Sequence, residues 1–159
     1  MRLDRAWIEH HIPHRGRMCL LDEVLEWNAG RISCRTTTHR AADNPLRAHG
    51  RLGIACGIEY AAQAMAVHGA LLAGLGAAGA AADGTLPPAA TAGFLAGIRG
   101  VEFHATRFDD LRGDLVCDAV RVAGDHRTAL YEFELRCDTV PLLAGRAIVI
   151  LEGGRRLRL

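Results

Sequence analysis

The stretch from Gly53 to about Gly76 constrains this chain most. It is built almost entirely of small or apolar helix formers, among them Ile54, Ile58, Ala61, Ala62, Met65 and Leu72. A helix that is apolar nearly all round has to be buried on most sides. Its polar exceptions, Glu59 and Gln63, are four residues apart and so share one face.

The chain beyond the helix reads as strands. Phe94 to Phe108 includes an alternation of Val101, Phe103 and Ala105 against Glu102, His104 and Thr106. Asp114 to Ala123 sets Leu115, Cys117 and Ala119 against Val116, Asp118 and Val120. Thr128 to Cys137 does the same with Ala129, Tyr131, Phe133 and Leu135, and Leu142 to Glu152 closes the set. A period of two is the signature of a half-buried strand. Gly124-Asp125-His126 supplies a turn between two of these strands.

Ahead of the helix, Asp4 to Ile12 reads as a short helix capped by Asp4 and stopped by Pro13, with Trp7, Ile8 and His11 on one face. Met18 to Trp27 and Arg31 to Arg40 read as a hairpin turning at Asn28-Ala29-Gly30. Asp43-Asn44-Pro45 opens a loop through His49 and Arg51. The Ala/Gly segment with Pro87-Pro88 reads as a mobile loop. Strands segregated from one long helix indicate an α+β class in a single domain, residues 1–159. One helix cannot cover both faces of a flat six-stranded sheet, but a curled sheet can wrap it.

Composition narrows the function. The net charge of +1 gives no basic field for nucleic acid. No apolar run is long enough to cross a membrane, and the N-terminus does not read as a signal peptide, so a cytoplasmic location is expected. The five cysteines, Cys19, Cys34, Cys56, Cys117 and Cys137, are odd in number and widely spaced. They read as reduced thiols rather than a disulfide frame or zinc site, with Cys56 nearest the suspected site. The chain has no lysine, which excludes Schiff-base chemistry and a P-loop. His10, His11 and His14 lack a cysteine or carboxylate to complete a metal site, and as helix neighbours His10 and His11 are not expected to face one another. His68, on the buried helix, reads as a satisfied core histidine.

Two stretches resemble the 3-hydroxyacyl-(acyl carrier protein) dehydratase family. Ile12-Pro13-His14-Arg15, with the run to Asp22-Glu23-Val24, is similar to that family's Pro-His-Arg opening. Gly57-Ile58-Glu59-Tyr60-Ala61-Ala62-Gln63 is similar to its Glu-x-x-x-Gln helix start, and Gly93-Phe94-Leu95 is a fainter echo of its next strand. The nearest resemblance is to a divergent branch associated with aryl polyene pathways. It implies a hotdog fold, a curved antiparallel sheet of about six strands wrapped around one long central helix. It implies a dimer whose sites draw residues from both subunits. It also implies elimination of water from a 3-hydroxyacyl thioester, with a histidine as base, a helix carboxyl as acid and a backbone N–H on the thioester carbonyl. No cofactor is expected beyond the 4′-phosphopantetheine arm that carries the substrate.

The residues can be weighed apart from the resemblance. Glu59 sits near the start of an apolar helix, where burial would raise its pKa and suit it to be a general acid; the alternative is an exposed helix-start carboxylate. His49, in the loop before the helix, is the candidate base, or else a solvated loop residue. The resemblance places a Gly-His-x-Pro-Gly loop here, whereas this chain reads Gly50-Arg51-Leu52-Gly53. Arg51 stands where the histidine would be and cannot accept a proton. Gly57 allows close approach of backbone to a thioester or to a packed strand. Gln63 could orient Glu59 or be a buried amide, and His14 and Arg15 would stand at the substrate mouth.

Acyl carrier protein is the expected partner, docked on Arg15, Arg17, Arg99 or the tail Arg155-Arg156-Leu157-Arg158. The partner within the dimer is a second copy or another hotdog subunit. Two alternatives stay open: an impaired hotdog subunit that binds a carrier or pairs with an active homologue, and an acyl thioesterase in which Glu59 activates water.

Overall fold

The computed structural model describes residues 3–80 and 93–151; the segment with Pro87-Pro88 and the arginine tail lie outside them. Asp4 caps the first helix, α1 (Arg5–His11), by accepting from the Trp7 N–H at 3.1 Å. Six strands follow in the chain: β1 (Glu23–Trp27), β2 (Arg31–Thr36), then β3 (Gly93–Phe103), β4 (Leu115–Gly124), β5 (Thr128–Cys137) and β6 (Val140–Leu151). Between β2 and β3 runs α2 (Gly57–Ala80). The strands form one antiparallel sheet in the order β1-β2-β4-β5-β6-β3, with α2 packed on β2, β4 and β5. This is the hotdog arrangement.

The alternating residues of β4 and β5 face α2 as their period requires. Leu115, Cys117, Ala119, Ala129, Tyr131, Phe133 and Leu135 are all buried, against Tyr60, Ala61, Ala64, Met65 and Val67. His68 is buried and fully satisfied: Nε2–H donates to the Asn28 carbonyl at 2.8 Å, and Nδ1 pairs with the Tyr131 hydroxyl at 2.9 Å. Four of the five cysteines are buried and all are free. No helix among the described residues is long and apolar enough to cross a membrane.

Four expectations need correction. The first strand begins at Glu23, not Met18, because Met18 closes a 3₁₀ turn and the backbone at Leu20 is taken by side chains. Leu20 N–H donates to Gln63 Oε1, and the Leu20 carbonyl accepts from the Thr36 and Thr38 hydroxyls. The second strand stops at Thr36, and Thr38–Arg40 forms a 3₁₀ turn. The strand from Phe94 ends at Phe103 and bulges near Gly100, where φ is +56°, so its register with β6 slips between Arg99 and Glu102. Burial of α2 is also incomplete: Ala73 to Gly76 are exposed, with Leu75 54% open to solvent, because the sheet covers only the earlier turns of the helix.

The edge strand β3 shows apolar side chains to solvent: Phe94, Leu95, Ile98 and Phe103 are 41–54% exposed. At the opposite extreme, Gly57 is buried where α2 meets the sheet. A Cβ there would collide with Leu143 and Leu135, both fully buried and unable to give way. The close approach allowed by Gly57 is therefore to packed strands. Gly57→Ala should destabilise the protein by about 1–3 kcal/mol in denaturant titration, as overpacking does; an unchanged midpoint would contradict the tight seat of α2.

Candidate active site

Glu59 lies in the first turn of α2, and its carboxylate faces the segment that follows α1. His14 Nε2 is 3.2 Å from Glu59 Oε1. Gln63, one turn along and fully buried, donates from Nε2 to Glu59 Oε1 at 3.0 Å and to the Met18 carbonyl at 2.8 Å; its Oε1 accepts from Leu20 N–H at 2.9 Å. The amide thus fixes both the carboxylate and the loop that brings His14 to it. Arg15 turns back on its own loop, donating to the carbonyls of Ile12 and His14.

The neutral His14 ring must carry its proton on Nε2, because that nitrogen faces a carboxylate oxygen. Nδ1 is then a buried lone pair without a hydrogen-bond partner. The side chains of His14 and Glu59 remain 28% and 35% exposed, enough for a substrate to reach them. The pair opens on a cleft of about 560 Å³ between α2, β3 and the end of β6, walled mainly by apolar residues such as Ala62, Met65, Ala66 and Val149. His10 and His11 border its mouth. Contrary to expectation they meet edge to face at 5.1 Å, while His11 stacks on Trp7 and donates from Nδ1 to the Trp7 carbonyl.

Burial was expected to raise the pKa of Glu59. The structure reverses the direction. The His14 hydrogen bond, aided by Gln63, outweighs burial and holds the carboxyl below the usual glutamate range. Glu59 therefore rests as a carboxylate rather than a stored acid.

His49 is placed differently from His14. With Gly50 it forms the tip of a tight turn between Ala48 and Arg51, whose backbones exchange hydrogen bonds; φ is +51° at His49 and +74° at Gly50. His49 and Arg51 are both exposed, and among the described residues neither bonds to Glu59. The turn is held by Arg47, which donates to the carbonyls of Ala41, His39 and Gly50. Arg47 also reaches Asp109, which accepts from Leu52 N–H and is paired with Arg107. Cys56 is half-buried, and burial pushes its thiol up, away from nucleophilic use. Among the described residues, no three His, Cys, Asp or Glu side chains are grouped to hold a metal.

The contact between His14 and Glu59 was missed in the sequence, although Pro13-His14-Arg15 drew attention; 45 residues separate the pair, and no local pattern links them. The hydrogen-bonded trio of Tyr60, Thr38 and Asn44, and the Asp109 anchor, carried no signal at all.

A family model described as ApeP-like, ApeP dehydratase, matches residues 6–152. No curated protein matches the chain. Among solved structures, the dehydratase heterocomplex ApeI:P from Xenorhabdus doucetiae superposes with a TM-score of 0.73 at 22% identity, over 92% of this chain and 91% of that one. A hypothetical thioesterase with coenzyme A from Streptococcus pneumoniae gives 0.55 at 12% identity, over 84% and 87%. A homologue of HP0420 from Helicobacter felis gives 0.57 at 11%, over 89% and 98%. At these identities the likeness is one of fold.

Removal of His14 should raise the Glu59 pKa, since the largest lowering influence is lost while burial remains. The carboxyl resonance of Glu59 in His14→Ala, followed by NMR against pH, should titrate at higher pH than in the wild type. The stability that the pair contributes is present above the ordinary glutamate pKa and disappears as pH falls through the depressed one. An unmoved titration would remove His14 as the cause.

Proposed function

Because this chain belongs to the ApeP-like dehydratase family, we propose that it eliminates water from 3-hydroxyacyl thioesters delivered on an acyl carrier protein, in aryl polyene-type biosynthesis. The observation that carries this reading is the His14–Glu59 pair at the mouth of an apolar cleft. Elimination breaks a C–H bond at the α carbon and the C–OH bond at the β carbon, and forms the double bond of a 2-enoyl thioester. The pair enters with one shared proton, on His14 Nε2, and open acceptor positions on the Glu59 carboxylate. The α proton comes onto the pair, a proton leaves with the hydroxyl as water, and the count of protons on the pair is restored. Gln63 keeps Glu59 in place throughout. We assign the histidine's part to His14, which touches Glu59, in preference to His49.

The partner in the assembly is proposed to be another hotdog subunit seated on β3. Support comes from the exposed apolar side chains of that edge and from the ApeI:P structure, itself a heterocomplex of dehydratase subunits. The exposed Arg15, Arg17 and Arg99 would meet the acidic carrier.

A second reading, an impaired subunit that serves an active homologue, is favoured by one feature of the sequence: Arg51 stands where the family resemblance implies a histidine. The two readings separate in one assay, release of 2-enoyl product from a 3-hydroxyacyl carrier substrate. For a catalytic His14, His14→Ala should lower turnover by about 10²–10⁴-fold, and His49→Asn, which suits the positive φ of the turn, should leave it unchanged. For an impaired subunit, turnover of the assembled complex should survive His14→Ala. Loss of turnover on His49→Asn with normal folding would return the base to His49.

A further inference from the structure

The cleft at Glu59 is not the only space along α2. A second cleft of about 450 Å³ lies farther along the helix, lined by Leu72, Ala73, Ala129 and Tyr131, with Arg121 and His126 at its outer end. The two share four wall residues: Met65 and Gly69 from α2, Val149 and Leu151 from β6. They therefore meet at one cross-section of the helix. At a rise of 1.5 Å per residue, Gly69 is about 15 Å along the axis from Glu59, and Ala73 about 21 Å.

Gly69 is not there for packing. A Cβ at Gly57 would strike buried leucines, whereas one at Gly69 would meet nothing within 4 Å among the described residues. A glycine inside a helix costs about 1 kcal/mol relative to alanine, and nothing in the backbone at Gly69 demands it, since its φ is not positive. What its missing side chain leaves is open space at the junction of the two clefts. The wall beyond is suited to hydrocarbon. Tyr131 gives its only hydroxyl proton to His68 Nδ1, because His68 Nε2–H is already committed to the Asn28 carbonyl. The phenol lines the cleft and has no proton left to donate into it.

We propose that Gly69 is a specificity-determining residue: by leaving its position empty it joins the two clefts into one passage, which admits acyl chains that extend beyond about 15 Å from Glu59. The proposal rests on the reading of Glu59 as the reacting centre. It adds the substrate class, long-chain rather than only short-chain 3-hydroxyacyl thioesters, and the residue that sets it.

The test uses the full chain and two probes, 3-hydroxyacyl pantetheine thioesters of which one ends short of Gly69 and one passes it. Binding is measured by calorimetry, so that the result does not depend on turnover. Wild-type protein and Gly69→Ala should bind both. Gly69→Phe should bind the short probe as the wild type does and lose about ten- to a hundredfold in affinity for the long one, the range by which a filled apolar pocket discriminates. Gly69→Leu serves if the phenylalanine prevents folding, as judged by thermal melting. Equal loss for both probes, no loss for either, or a wild type that binds only the short probe would overturn the proposal. Enoyl product from the short probe is followed separately. Its absence, together with the expected binding pattern, would sink the dehydratase reading and leave the passage standing.

Discussion

The side-chain amide of Gln63 is the joint on which the site depends. It is fully buried and makes three hydrogen bonds, to a carbonyl at Met18, an N–H at Leu20 and the carboxylate of Glu59. Two of those partners are backbone groups of a segment that is not yet in the sheet. A buried polar group left without a partner costs about 1–3 kcal/mol, so the segment has no cheaper place to lie. Once it is fixed, His14 four residues upstream has little freedom, and it meets the same carboxylate that Gln63 holds. One amide therefore aligns a loop, a helix and a histidine–carboxylate pair that the chain supplies from separate places.

The loop before α2 is held by an independent device. Asp109, buried beside Arg107 and Arg47, accepts the Leu52 N–H, while Arg47 gathers three carbonyls of the same loop. This arrangement seats the entry to α2 and turns His49 outward at a hairpin tip. Nearness in sequence to Glu59, only ten residues, does not become contact, whereas the distant His14 achieves it. The carboxylate is then set by that contact, and so it rests ionised rather than protonated.

The parts of the fold with a clean period could be read in the chain. Thr128 to Cys137 alternates without a break and is β5, and the all-round apolar stretch is α2. Legibility failed where side chains replace the ladder. Cys19 to Leu21 is as apolar as a strand, but the backbone of Leu20 bonds to the side chains of Gln63, Thr36 and Thr38. It failed again at Gly100, where a positive φ throws β3 out of its two-residue rhythm. In the site, Glu59 and Gln63 were visible as polar exceptions on an apolar helix. The pairing with His14 was not, because it comes from tertiary closure over 45 residues, and the direction of the Glu59 shift went with it. The resemblance to the dehydratases supplied the residues, while only the packed chain supplied their geometry.

The bare edge of β3 has a consequence for the life of the protein in a cell. An edge strand with unpaired backbone groups and protruding Leu95, Ile98 and Phe103 is a template for stacking against any other open strand. Copies of this chain whose β3 edge stays uncovered would be open to edge-to-edge aggregation. A subunit seated on β3, as proposed, would tie the usable abundance of this chain to the supply of its cover.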